Sequence, residues 1–266
     1  MQVNRLVTVE DQSERFPVIG IGNEWSRRFY DGPFYLFKAP DARPAISLVF
    51  VQSRDGNTGA ANPADLGGGP TDRYLIYEGL SRVAADAVLA GASTVGGSVF
   101  FSIPHPELAA LRAELGLPRY PVQMVISNSG NVDLSARLFS NPEARVLVLA
   151  GERCLRVLAE PLRDRPWITM VPIGDSLTRA LELVRRDYGI GRISAVGGRI
   201  TATSLVDAGL VQDLHLTTSA IDAGESDTPW YVGTRNVRLE TIVRKREVTV
   251  RSPLLFEHLA VRVDAG

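Results

Sequence analysis

Apolar positions along the chain fall into short runs separated by polar, glycine-rich and proline-rich stretches. Residues 45–51 (Ala-Ile-Ser-Leu-Val-Phe-Val) form a largely apolar run of buried-strand length. Residues 87–90, 121–127, 145–150, 167–171 and 193–196 read as further strands. Helical patterns lie between them. Over residues 72–85, Leu75, Ile76, Leu80 and Val83 fall near one face. Over 176–188, Leu177, Ala180, Leu181 and Val184 point inward, and Gly189 stops the helix. Shorter helices are predicted at 106–115, 154–162 and 202–208. Residues 212–220, 236–245 and 248–263 instead alternate in the manner of antiparallel strands. The prediction is an α/β fold: a mixed, mostly parallel sheet flanked by helices, with antiparallel strands at its C-terminal end.

Residues 1–42 read as an N-terminal arm ahead of a main domain spanning 43–266. Pro17, Gly20, Gly22, Gly32, Pro33 and Pro40 exclude long regular elements there. Phe16, Trp25, Phe29, Tyr30, Phe34, Tyr35 and Phe37 argue against disorder, so the arm is expected to pack on the main domain or on a partner subunit. Residues 53–69 form a long loop rich in glycine and asparagine, and long loops in compact domains are often functional.

Charge and composition remove several functional classes. The formal net charge is −1 and no basic block exists, so a nucleic-acid partner is not expected. No apolar run reaches membrane-spanning length, and no signal-peptide core follows the first residues. Cys154 is the single cysteine, which excludes an internal disulfide and fits a reducing cytoplasm. His105, His215 and His258 stand far apart in sequence without zinc-site spacing, so no metal is expected, and His215 reads as a packed core or edge histidine. Nucleophile-elbow and G-x-G-x-x-G patterns both fail, at Val95 and Trp25 respectively.

Two strands end in small-residue turns that lead into further structure, at 91–95 and 197–201. Glycine admits close approach of a bulky ligand, and a helix start offers free N–H groups to phosphate. Two such turns, far apart in sequence, point to one long phosphorylated ligand held at two places, a dinucleotide. A nicotinamide cofactor carries the hydride itself, so the protein needs no conspicuous catalytic cluster.

Three landmarks, in order, resemble the RibD C-terminal family: Arg43-Pro44 followed by Ser53-Arg54-Asp55-Gly56; residues 85–95, reading ADAVLAGASTV; and Val196-Gly197-Gly198 followed by Ala208-Gly209-Leu210-Val211-Gln212-Asp213-Leu214. The resemblance covers about residues 43–263. It implies a dihydrofolate-reductase-like fold and NADPH as cofactor. By the same resemblance, Gly91, Thr94 and Val95 line one side of the cofactor. Gly197, Gly198, Arg199, Ile200 and Thr201 line its pyrophosphate. Ser127 and Asn128 end a strand where reductases of this fold often bind the adenosine 2′-phosphate, although Asn-Ser-Gly is equally good turn chemistry. Asp55 faces the substrate side, either organising its loop or steering a proton, and Ser53 bonds substrate or backbone. Arg73 either faces the pocket or is a solvated charge at a helix start.

Departures from the family are as informative. Riboflavin-pathway members usually carry Glu before the glycine pair, where it contacts the pyrimidine; this chain has Val196. Where they place an aspartate and then basic residues for a ribose phosphate, this chain has Gly96-Gly97-Ser98 and then Val99-Phe100-Phe101. Phe100 and Phe101 form either an apolar wall or ordinary core. The resemblance therefore implies an NADPH-dependent reductase of a small organic substrate, heterocyclic or carbonyl, acting as a cytoplasmic homodimer. The alternatives are a 5-amino-6-(5-phosphoribosylamino)uracil reductase of riboflavin biosynthesis with displaced pyrimidine contacts, a non-catalytic nucleotide- or flavin-binding protein, and a structural relative with an empty cleft.

Overall fold

The computed structural model describes residues 2–248 and 253–264. β1 (Leu6–Asp11) and β2 (Val18–Ile21) lead into helix α1 (Glu24–Tyr30), capped by the Asn23 side chain, which accepts from the Ser26 amide. β3 (Phe34–Phe37) pairs antiparallel with β2. β4 (Ala45–Gln52) begins the segment where strands and helices alternate.

Three joined stretches, Gly69–Thr71, Asp72–Leu80 and Ser81–Val83, form helix α2, whose middle stretch is π-helical. β5 (Ala87–Gly91), α3 (Pro106–Glu114), β6 (Val122–Ser127), α4 (Arg137–Ser140), β7 (Val146–Ala150), α5 (Glu152–Leu158) and β8 (Ile168–Pro172) follow. Then come α6 (Leu177–Tyr188), β9 (Arg192–Val196), α7 (Arg199–Asp207), β10 (Val211–Thr218), β11 (Val237–Glu247) and β12 (Leu255–Val263).

Among the described residues, ten strands form one sheet in the order β1-β11-β12-β10-β4-β9-β5-β6-β7-β8. From β10 to β8 every pairing is parallel; β12, β11 and β1 add antiparallel. The fold is thus the mixed, mostly parallel α/β sheet the pattern predicts. β10 corrects one detail: it is antiparallel only to β12, and it lies parallel to β4 because its chain returns through α7. Part of the strand predicted over 248–263 lies outside the described residues, and the observed strand begins at Leu255.

Both faces of the parallel region are covered, which is why β5 and β7 are buried throughout. One face (Val49, Val88, Val125, Val148, Val196) packs on α2, α3, α5 and the aromatic residues Tyr30 and Phe34. The other (Leu48, Leu89, Leu147, Ala195, Leu214) packs on α6 and α7. Gly79 lets α2 approach α3, since a Cβ there would lie 2.6 Å from Leu108 Cδ1 and 2.5 Å from the Tyr74 carbonyl oxygen. Its backbone leaves helical dihedrals (φ −112°, ψ −109°). The sequence periodicity does not reveal this π stretch, because π and α turns share the same residue types.

Candidate functional site

The C-terminal ends of neighbouring strands bring the predicted turns into one row. β9 and β5 are adjacent, and β6 lies beside β5 with Gly91 level with Ile126. The turns at 91–95 and 197–201 touch. A Cβ on Gly91 would sit 2.6 Å from the Thr201 hydroxyl, and one on Gly197 would sit 3.3 Å from Thr94 Cγ2. Gly198 would place its Cβ 3.4 and 3.5 Å from the Thr94 and Thr201 hydroxyls. Gly197 and Gly198 have φ of +75° and +83°, a region that disfavours side chains. Arg199 opens α7, a nine-residue helix whose first N–H groups face this junction as unpaired donors.

The residues named from sequence differ in what they expose. Thr94, Gly197, Gly198 and Arg199 are half-buried, Thr201 is buried, and Ile200 is 81% exposed. Val95 and Val196 have their side chains in the apolar core beneath the turns, leaving their backbones at the rim. Ser127 is buried, and its hydroxyl accepts from the Gly130 amide, closing the turn; Asn128 is exposed and packs on Gly151.

On the other side of β9, β4 ends at the Ser53 loop. The Ser53 hydroxyl and the Asn57 side-chain amide both donate to the Asp55 carboxylate, Asn57 at 2.7 Å. The bond from Ser53 is the largest influence holding the exposed Asp55 carboxyl below its ordinary range. Gly56, at φ +86°, makes the turn between them. The loop is fastened to the segment after β10: Asn57 accepts from the Thr228 amide at 3.1 Å, and Arg54 pairs with Asp222. Arg73 lies on the outer surface, paired with Glu78 at 3.1 Å.

Asp72, Arg73's neighbour in a pair that resembles the family's D-R segment, is a functional candidate to which the sequence reading gives no role. It is buried at the start of α2, where the Thr217 hydroxyl donates to Oδ1. Burial pushes its carboxyl up to about 6. Thr217 stands level with Val51 at the end of β4, so Asp72 hangs over the strand end that carries the Ser53 loop. The sequence signal was a buried-helix position filled by Asp instead of an apolar residue. Phe101 is core, whereas Phe100 is half-buried between Tyr120 and Arg137.

The histidines require a correction. His105 stands apart, packed at a tilt on Trp25 with centroids 4.1 Å apart, but β10–β12 pairing sets His215 directly opposite His258, with ring centroids 4.2 Å apart. Asp213, His215 and His258 are all buried and offer three ligand-type atoms within 4.8 Å. Both Nε2 atoms point at the same oxygen, Asp213 Oδ2, from 3.4 and 2.7 Å, and Ser47 donates to Oδ1 at 2.8 Å. The rings stack with 28° between their planes, and both turn Nε2 to that one carboxylate oxygen. The arrangement is that of a hydrogen-bonded buried carboxylate. Burial alone would raise Asp213, but the bonds from His215 and His258 reverse this and hold it well below its ordinary range.

No helix among the described residues is long and apolar enough to cross a membrane. The RibD C-terminal domain family matches residues 44–252. A 2,5-diamino-6-ribosylamino-4(3H)-pyrimidinone 5′-phosphate reductase of Archaeoglobus fulgidus is 26% identical over 192 residues, covering 70% of this chain and 85% of that protein. A pyrimidine reductase-like protein of Corynebacterium diphtheriae superposes with a TM-score of 0.59 at 22% identity, over 83% of this chain and 93% of that one. A riboflavin biosynthesis reductase of Saccharomyces cerevisiae gives 0.55 at 16% identity, over 83% and 92%. These structures share the fold described above.

Proposed function

The chain belongs to the RibD C-terminal domain family, and from that premise we propose that it is an NADPH-dependent reductase of a small heterocyclic or carbonyl substrate. The observation that carries this reading is the contact between the two glycine turns at the ends of β5 and β9. Their missing side chains leave a cradle that a Cβ would fill, and α7 aims its free N–H groups into it, as a pyrophosphate requires. Gly91, Thr94, Val95, Gly197, Gly198, Arg199, Ile200 and Thr201 would hold the dinucleotide, with Ser127 and Asn128 at its adenosine end. The nicotinamide, when bound, supplies the hydride.

The chain's own groups do the rest. Asp55 keeps the Ser53–Asn57 turn in shape, and being held ionised it is a poor proton donor at neutral pH. Asp72 is the better proton-holding group, since its carboxyl keeps a proton to about pH 6 and lies inside the protein. Val196, whose side chain lies in the core, offers a pyrimidine no side-chain hydrogen bond, which favours a substrate other than the phosphoribosylated pyrimidine. A second reading, reduction of a ribosylaminopyrimidine phosphate in riboflavin biosynthesis, is favoured by the likeness to the A. fulgidus reductase. We further assign the enzyme to the cytoplasm as a homodimer joined through its C-terminal strands, which sedimentation would test.

Titration with NADPH and NADH, followed by nicotinamide fluorescence, tests the cofactor. Saturable enhancement with tighter binding of NADPH is expected. NADPH oxidation is then assayed with heterocycles, carbonyl compounds and the two riboflavin-pathway pyrimidine phosphates. Oxidation with a pyrimidine phosphate alone selects the second reading. Binding without oxidation across the panel would leave a nucleotide-binding protein.

A further inference from the structure

A line of buried polar groups runs inward from Asp72, and catalysis as proposed above uses only its first member. Thr217 and His215 are two residues apart on β10 and face the same side of the sheet. Between them lies a small cavity of about 10 Å³, whose lining includes Tyr30, Ile76, His215, Thr217, Phe256 and Glu257, the last paired with Arg244 at 2.9 Å. That is room for about one water, and Thr217 and His215, residues i and i+2 on the same face of the strand, both line it. The Thr217 hydroxyl already donates to Asp72, and its oxygen still has acceptor capacity toward the cavity. His215 turns Nε2 toward Asp213, which leaves Nδ1 as its second proton-carrying atom.

We propose that His215 is the internal proton source for Asp72, acting through one water in this cavity and the Thr217 hydroxyl. The inference rests on the reductase reading. In each turnover Asp72 gives its proton to the substrate atom next to the carbon that receives hydride. Thr217 passes its hydroxyl hydrogen to the Asp72 carboxylate and takes one from the water. The water is restored by a ring proton of His215, and the His215–Asp213 pair then takes up one proton from solvent. No redox change occurs along the relay.

The groups around His215 suit this role. Asp213 and His258 flank it on β10 and β12, at 3.4 Å and at 4.2 Å between ring centroids. Phe34 stacks on it at 4.7 Å from the N-terminal segment. Asp72 lies beyond Thr217, and Lys245 lies behind the Tyr30 ring, 4.5 Å from its centroid. Asp213 Oδ2 stands against His215 Nε2, while Lys245 is separated from His215 by the Tyr30 ring.

The test compares wild type with His215→Gln and His215→Ala, using NADPH and the pyrimidine or heterocycle that the wild type reduces. The Gln side chain keeps an N–H for Asp213 but cannot relay a proton. Expected for His215→Gln are unchanged NADPH affinity by fluorescence, unchanged KM, and kcat reduced about tenfold or more at neutral pH with an altered pH profile. Expected for His215→Ala is a larger loss that added imidazole restores in a concentration-dependent way. Wild-type kcat and pH profile in His215→Gln would overturn the relay. So would loss of NADPH binding together with kcat and no imidazole rescue, which would make His215 structural. A wild type that binds NADPH yet oxidises it with no compound removes the reductase reading itself, and the relay with it.

Discussion

Thr217 on β10 and Asp72 on α2, 145 residues apart, share a hydrogen bond inside the protein, and this bond gives the buried Asp72 carboxyl its partner among the described residues. A carboxyl raised from 3.8 to about 6 by burial stabilises the fold only while protonated. That contribution is complete below pH 3.8 and is lost as pH rises through 6. At pH 7.5 the wild type carries the cost of a buried charge. Asp72→Asn removes it while keeping an oxygen for Thr217 to donate to. The variant is expected to be more stable than wild type at pH 7.5, by up to about 3 kcal/mol, and its kcat is expected to fall at least about a hundredfold. Thermal melts and NADPH oxidation rates check both halves. A variant less stable at pH 7.5, or fully active, refutes the assignment.

The histidine pair predicts a loss of stability in acid. Burial, helped by the neighbouring His215, lowers His258 from 6.5 to about 4, against the pull of Asp213. Between those values the unfolded chain binds a proton that the folded protein does not. Stability therefore falls as pH drops through that window, by at most about 1.4 kcal/mol per pH unit for one proton. Asp213, held low in the fold, adds a further loss below its ordinary value of 3.8. The Asp72 carboxyl works in the opposite direction over the same window, so His258→Gln should raise the urea midpoint at pH 5 relative to that at pH 7 when compared with wild type. An unchanged difference would place the acid-sensitive group elsewhere.

The N-terminal segment closes the same buried face. Phe34 is 1% exposed and stacks on His215 and His258, with Tyr30 at 5.4 Å. Lys245, 2% exposed, donates to the Thr8 hydroxyl and the Asp31 carbonyl at 2.8 and 2.9 Å. β1 pairs along β11. Phe34→Ala should cost about 3–5 kcal/mol in urea unfolding, because it leaves a cavity over two buried imidazoles. Val9→Ala, at a 58% exposed position of β1, should stay within about 0.5 kcal/mol. Equal effects of the two would mean the segment is loosely attached.

Strands such as β5 and β7 were legible because every residue is apolar, as burial on both faces demands. α6 was legible because its apolar positions repeat at helical spacing and Gly189 ends it in the left-handed region. The glycine turns were legible because only a backbone constraint explains glycine after an apolar strand. The cross-strand meeting of His215 and His258 was not, since register between strands 43 residues apart leaves no trace in local pattern. Nor was Asp72, whose significance comes from Thr217 and burial and not from its neighbours in sequence. β10 looked antiparallel because alternation records which face is wet, not which way the partner strand runs.

Gly198 offers the sharpest test of the cofactor cradle. Its φ of +83° already strains any side chain, and its Cβ direction points at the Thr94 and Thr201 hydroxyls, 3.4 and 3.5 Å away. Gly198→Val would fill the space between the two turns with two methyl groups. Backbone strain alone costs about 1–2 kcal/mol of stability and leaves a folded protein. Gly174→Ala is the matched control, with φ +58°, open space around its Cβ position, and a place in the turn before α6. NADPH affinity by nicotinamide fluorescence should drop at least about tenfold in Gly198→Val and stay at the wild-type value in Gly174→Ala, with cooperative melts in both. Wild-type affinity in Gly198→Val would show that the dinucleotide does not lie between these turns.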